Sequence, residues 1–251
     1  MAQLPNDLDE AIAQAKQATQ AALDDGYRLL QVEIVIPELK VQPIAEQFIP
    51  LLADSYGERL KVYFPDAGAA ALARRDWGET PYVVRAIGEK KGQIQPEDEA
   101  FLFVEPSSVE VNDVEKMCEQ ADDRPVILLL PQLENVATIG IGLAGRQLRE
   151  RFLNNIESCY YVKPKEGYAI FRCYPSPWQV WLETAQGGYE LISETPQKPL
   201  GDELDRILAR AMGTPEEGTS AEAPTQTAAP STPKQAGLMT NLKRFLRALS
   251  Q

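Results

Sequence analysis

Apolar and polar positions alternate along this chain in two periods, and the change of period marks its elements. Leu8, Ile12, Ala15, Thr19 and Leu23 recur at helical spacing, and Gly26 ends that pattern. Leu29 to Ile36 is an apolar, β-branched run that predicts a strand, followed by a helical segment from Ile44 to Tyr56. Leu60–Phe64 reads as a short strand, the alanine-rich stretch 67–75 as a helix, and Tyr82–Ile87 and Phe101–Val104 as two further strands. Asn112, with Glu115 three positions on, has the pattern of a capping box and predicts a helix through Ala121. Val126–Leu130 is continuously apolar, as a central strand covered on both faces would be. Helices are expected over 147–156 and 200–212.

Between residues 159 and 194 the alternation stops. Cys159–Lys163, Tyr168–Cys173, Trp178–Thr184 and Tyr189–Ser193 are short aromatic strands joined by tight turns, and connections this short allow only antiparallel neighbours. The pattern therefore predicts an α/β fold: a mainly parallel, helix-covered sheet extended by a C-terminal antiparallel meander. Trp178 and Trp181, three apart in a strand, should face opposite ways, one in the core and the other exposed.

The body is expected to span 1–212. From Gly213 to Ala236 the chain has no aromatic and no β-branched aliphatic residue, so 213–236 reads as a disordered linker. Residues 237–251 are apolar again. Leu238, Met239, Leu242, Phe245, Leu246 and Leu249 fall on one stripe of a helix, and Lys243, Arg244 and Arg247 lie on the remainder without an acidic residue among them. About twelve residues of helix cover only ~18 Å, too little to cross a bilayer. Such a helix suits the surface of an anionic membrane or a partner's groove. The 24-residue linker, with a reach of roughly 27 Å as a flexible coil, favours a target outside the body over folding back onto it.

Composition narrows the chemistry. In 251 residues there are 37 acidic and 25 basic side chains, a net charge of −12, which argues against nucleic acid as a partner. There is no histidine, which removes Ser-His-Asp and Cys-His catalysis and histidine metal ligation. Cys118, Cys159 and Cys173 form no CxxC pair and are expected to be buried free thiols. No apolar run is long enough for a membrane span, and the first ten residues lack the marks of a signal peptide, so a soluble cytoplasmic protein is expected. No cofactor or metal is called for.

Two patterns could carry chemistry. Several strands end in proline followed by polar residues: Ile36-Pro37-Glu38, Phe64-Pro65-Asp66, Glu105-Pro106-Ser107 and Leu130-Pro131-Gln132. In open α/β sheets the crevice beyond the carboxyl ends of the strands holds ligands, so Asp66, Glu105, Ser107, Gln132 and Asn135 would share one polar rim. They could equally be ordinary strand-end turns and helix caps. The second pattern, Gly140-Ile-Gly142-Leu-Ala-Gly145, matches GxGxxG and opens a helix carrying Arg146, Arg149 and Arg151. A helix start of this kind can cradle a phosphate. However, the glycines do not follow a strand directly, and no acidic residue stands about 20 positions on, so a glycine-rich helix start packed closely on the sheet is the stronger reading. The arginines could instead lie on a solvated face paired with Glu150 and Glu157.

The segments Lys61-Val-Tyr-Phe-Pro-Asp66, Gly140-Ile-Gly142 with Arg146-Gln-Leu-Arg149-Glu-Arg151-Phe152, and Tyr174-Pro-Ser-Pro-Trp178 resemble a domain of unknown function, DUF1995, of cyanobacteria and chloroplasts. The resemblance covers most of residues 5–212. That family includes the plant low-photosystem-II-accumulation protein 3 and a domain fused to a chloroplast adenylate kinase. The resemblance implies an α/β domain with a role in photosystem II assembly, peripheral to the thylakoid, and a photosynthetic membrane protein or assembly intermediate as partner; it implies no catalytic residues. The expected function is thus a non-enzymatic assembly or scaffold factor. The alternative is a nucleotide- or phosphate-binding enzyme using the 140–145 turn, Arg146 and Arg149, with Asp66 or Glu105 as acid or base.

Overall fold

The computed structural model of the chain describes residues 3–134 and 142–213. The expected linker, apart from Gly213, and the expected helix 237–251 lie outside the described residues, as do Asn135 and Gly140. The elements run α1 (Leu8–Asp24), β1 (Leu29–Ile34), α2 (Val41–Phe48), α3 (Pro50–Tyr56), β2 (Leu60–Phe64), α4 (Ala67–Trp77), β3 (Val83–Ala86) and β4 (Ala100–Val104). They continue with α5 (Val111–Ala121), β5 (Val126–Leu129), α6 (Leu143–Arg151), β6 (Glu157–Lys165), β7 (Tyr168–Cys173), β8 (Trp178–Glu183), β9 (Tyr189–Thr195) and α7 (Asp202–Ala211).

One nine-stranded sheet has the order β3-β2-β4-β5-β1-β6-β7-β8-β9. The six strands from β3 to β6 are parallel to their neighbours, and β6 to β9 form an antiparallel meander. The α/β architecture expected from the sequence is the one observed. On one face, alanines of α1 (Ala11, Ala15, Ala18, Ala22), Ile44 and Phe48 of α2 and Leu52 of α3 pack on Leu30, Val32, Val62, Ile127, Tyr160 and Val162. The small residues let α1 lie close to the sheet over β1 and β6. On the other face, Val111 and Val114 of α5 and Leu148 of α6 cover Tyr63, Phe101, Phe103 and Leu128. Leu204 of α7 closes the meander against Tyr161, Ile170, Trp178 and Val180.

Several local expectations shift. The helix expected over 44–56 is two helices, because Pro50 has no backbone N–H to continue the first one and instead starts the second. Asn112 is not a cap; it lies inside α5, and Glu115 is spent on a distant arginine. The reciprocal arrangement sits one turn earlier, where Glu110 Oε2 accepts from the Ser107 backbone N–H (3.1 Å) and hydroxyl (2.7 Å), and the Ser107 hydroxyl accepts from the Val109 N–H (3.1 Å). The two tryptophans do face opposite ways, but Trp181 is half-buried against the first core rather than exposed, its indole N–H donating to Gln179.

The connection from β3 to β4 contains no α-helix and crosses the second face over β2. It is held there by a buried ion pair: Lys61 Nζ of β2 stands 2.6 Å from Asp98 and also donates to the Gln93 carbonyl at 2.8 Å. The Tyr63 hydroxyl donates to the Gly92 carbonyl, and Arg124 donates to the carbonyls of Gln95 and Asp98. Removing one partner leaves a charge buried and uncompensated. Asp98→Ala should therefore cost ~3–5 kcal/mol, and the double variant Lys61→Met/Asp98→Ala should recover most of that loss. Urea unfolding of the three proteins at pH 7 reads both; a single variant within about 1 kcal/mol of wild type would show the pair to be dispensable.

Candidate functional site

Connections leave adjacent strands β1 and β5 on opposite faces. The chain after β1 runs through α2 and α3 on the first face to β2, whereas the chain after β5 runs through α6 on the second face to β6. Between them, beyond the carboxyl ends of the strands, the described residues leave a crevice, at the position where open α/β sheets hold ligands. A cleft of about 600 Å³ opens there, walled by Ile34, Ile36, Leu39, Val41 and Leu130 with Pro37, Pro131 and Pro164; Glu38, Glu105, Lys163 and Lys165 also line it. Three residues beyond the strand ends around it, Glu38, Glu105 and Leu130, have φ of 58°, 51° and 54°, a region that disfavours any side chain. Each non-glycine residue so held costs ~1–2 kcal/mol. The turns are maintained by the ladder, which continues past them: the Glu105 N–H donates to the Leu129 carbonyl and the Leu130 N–H to the Val32 carbonyl, both at 2.8 Å.

Of the rim residues read from the sequence, Glu105, Ser107 and Gln132 come together at the ends of β4 and β5, Asp66 stands apart at the start of α4, and Asn135 lies outside the described residues. Glu105 accepts from the Gln132 side-chain amide at 3.0 Å, and the Gln132 N–H donates to the Pro106 carbonyl, so β4 and β5 are tied at their ends. Desolvation pushes the Glu105 carboxyl up, against the pull of the Gln132 hydrogen bond. Asp66 is a helix cap: its Oδ1 accepts from the N–H groups of Gly68 (2.7 Å) and Ala69 (3.0 Å) at the start of α4. A Cβ at position 68 would meet that same oxygen at 3.0 Å, which explains the glycine.

On the opposite face, Gly142 precedes α6, Gly145 is buried against the sheet side, and Arg146 is exposed. Arg149 donates to Glu134 at 2.7 Å. Arg151 grips the buried Glu115 of α5 with two hydrogen bonds of 2.6 and 2.8 Å. The arginines are thus paired with Glu134 and Glu115, not with Glu150 and Glu157 as the local sequence suggested; Glu157 takes Arg172. Residues far apart in the chain supply these partners, which local spacing does not reveal. Of the two acids of the phosphate-binding reading, Asp66 caps α4 on the first face, whereas Arg146 and Arg149 belong to α6 on the second; Glu105, the other acid, lies at the end of β4. Nor are the thiols poised as nucleophiles, since burial pushes Cys118 and Cys159 up to about 12.

The residue that the sequence reading passed over is Glu33. It lies on β1, in a run otherwise read as apolar, and with Gln31 it puts two polar side chains on one face of a strand next to the sheet's centre. That alternation was the signal available, because a strand buried on both faces should carry none. Glu33 lines the cleft and also a second, smaller cavity of about 270 Å³ on the second face, bounded by Gln31, Gln132, Leu133, Glu134, Asn154 and Lys198. Its carboxylate accepts from Gln31 Nε2 at 3.1 Å and from the Ser158 hydroxyl at 3.4 Å. Burial raises the Glu33 carboxyl above its ordinary range, with Lys198, Ser158 and Lys163 opposing that rise. Burial likewise lowers Lys198, opposed by Glu33. Two titratable groups displaced towards each other in one crevice are a common mark of a functional site. Among the described residues no group of three or more Cys, Asp or Glu is placed to hold a metal ion.

A carboxyl raised by folding contributes stability that is present below its unfolded value near 4.5 and is lost as pH climbs through its higher folded value. Glu33→Gln abolishes that titration. The stability of the variant relative to wild type should therefore improve between pH 4 and pH 8, as read from urea midpoints across the range; a difference that does not change with pH would show that Glu33 is not desolvated.

The sequence of residues 5–206 matches a family model described as Domain of unknown function (DUF1995). With four-fifths of its length inside that match, including every strand of the sheet and the cleft between β1 and β5, the chain belongs to the DUF1995 family.

Proposed function

We propose that this protein is a non-enzymatic binding module, an assembly or scaffold factor for photosynthetic membrane complexes, whose cleft at the carboxyl edge of the sheet takes a segment of a partner protein. The observation that carries this reading is the make-up of that cleft: an open trench whose aliphatic, proline-rich wall is flanked by charged side chains of both signs, Glu33, Glu38, Glu105, Lys163 and Lys165, suits an extended chain. Of the rival's two candidate acids, Asp66 caps α4 and Glu105 holds the Gln132 amide, while Arg149 pairs with Glu134. The choice of photosystem II rests on the likeness of residues 61–66, 140–152 and 174–178 to a family with a plant member of that role. The helix expected over 237–251 supplies attachment to an anionic thylakoid surface or to the partner, and none of the helices among the described residues is long and apolar enough to cross a membrane.

Two measurements test the reading. In a thermal-shift panel of nucleotides and phosphorylated metabolites the melting temperature should stay unchanged; a ligand at 100 times its Kd would add about 2.7 kcal/mol, and a shift abolished by Arg146→Ala would establish the enzyme reading instead. In liposome flotation with anionic lipid, the full chain should float at low salt and sink at high salt, while a truncation at Gly213 and the Phe245→Glu variant stay down. Three basic residues contribute only ~1 kcal/mol each at such a surface, so equal flotation of all three proteins, or of none, removes the membrane.

A further inference from the structure

Glu33 and Lys198 border the same 270 Å³ cavity with opposite charges, yet they do not meet. The ion pairs of the described residues join Glu33 to neither Lys198 nor Lys163. Desolvated opposite charges ordinarily close onto one another, because the gain in contact offsets the loss of water. Here each is tied back on its own side. Lys198 Nζ is seated 3.7 Å above the centre of the Tyr161 ring and 5.3 Å from that of Trp178, a cation–π seat formed by the floor of the meander. Glu33 is held in place by the Gln31 amide and the Ser158 hydroxyl. The gap between the charges is therefore built into the fold. Around it stand three primary amides, of Gln31, Gln132 and Asn154, and one further carboxylate, Glu134.

We propose that this cavity is a binding site for a small zwitterion of free amino-acid size, its carboxylate on Lys198 and its ammonium on Glu33. A dipolar molecule completes both charges at once, which neither a simple anion nor a simple cation does. The volume fits this size; it falls short of the 300–1,000 Å³ typical of sites for larger ligands. The two anchored charges spare the site the ordering cost of forming an ion pair on a flexible side chain. The amides, each with donor and acceptor, face whatever polar groups the ligand carries beyond its two charges. The site is separate from the partner-binding role of the larger cleft, with which it shares only the wall formed by Glu33, Pro131 and Gln132.

The experiment is calorimetry and thermal shift on the full chain with the common free L-amino acids at millimolar concentration, each followed by its N-acetyl and methyl-ester forms. The expected result is that at least one amino acid binds and raises the melting temperature. Its N-acetyl and methyl-ester forms, each lacking one charge, should bind at least tenfold more weakly. Lys198→Met and Glu33→Gln, checked for native circular dichroism, should each lose the response, while Arg146→Ala keeps it. No response to any amino acid overturns the proposal. So does equal binding of the singly charged forms on the wild-type chain, a result that holds whether or not the variants fold.

Discussion

Everything at the functional edge of this molecule follows from a reversal in the winding of the sheet. From β1 the chain travels towards β2 over one face, and from β5 it travels towards β6 over the other, so neighbouring strands in the centre of the sheet send their connections apart. Backbone groups at those strand ends still need partners, and the ladder supplies them by running a residue or two beyond the regular strands, at the cost of unfavourable φ at Glu105 and Leu130. The described residues at these ends border an open crevice. The cleft is a product of topology first and of side chains second.

Charge is handled in two contrasting ways. Lys61 with Asp98, and Glu115 with Arg151, are closed pairs with full hydrogen bonding, and each fastens one segment to another across the second face. Glu33, Lys163 and Lys198 form an open set, in which hydrogen bonds and an aromatic seat restrain the charges separately. A closed pair welds; an open one keeps its electrostatic free energy unspent. The two arrangements lie on the same face of one sheet, the closed Lys61–Asp98 pair fully buried and the open set only partly so.

How much of this could be read from the residues depended on the range of the interaction. Val126–Leu129 announced itself as a central strand because both its faces are apolar, and the aromatic strands after residue 157 announced the meander through their short turns. The cap made by Asp66 was within reach as the plain alternative to a functional rim, since aspartate before an alanine-rich helix needs only local N–H groups, here those of Gly68 and Ala69. The same reasoning misplaced the capping box by one turn, because Ser107 and Asn112 both satisfy the pattern and tertiary packing chose the former. The partners of Arg149 and Arg151 come from other elements, and Glu33 and Lys198 line one cavity from positions more than 160 residues apart. Such pairings are set by which helix lands on which face, and no spacing within a single segment encodes that.

The position of β1 also sets a timetable. This strand is made early, but its neighbours are residues 126–129 on one side and 157–162 on the other, and α1 ahead of it packs on β6. At a synthesis rate of ~5–20 residues per second, the first partner is about 5–20 s away. Throughout that interval a six-residue strand with one apolar face, Leu30, Val32 and Ile34, has two unsatisfied edges, and its pairings are all of high sequence separation. β1, made first, thus acquires both neighbours later than β2, β4 and β5 do.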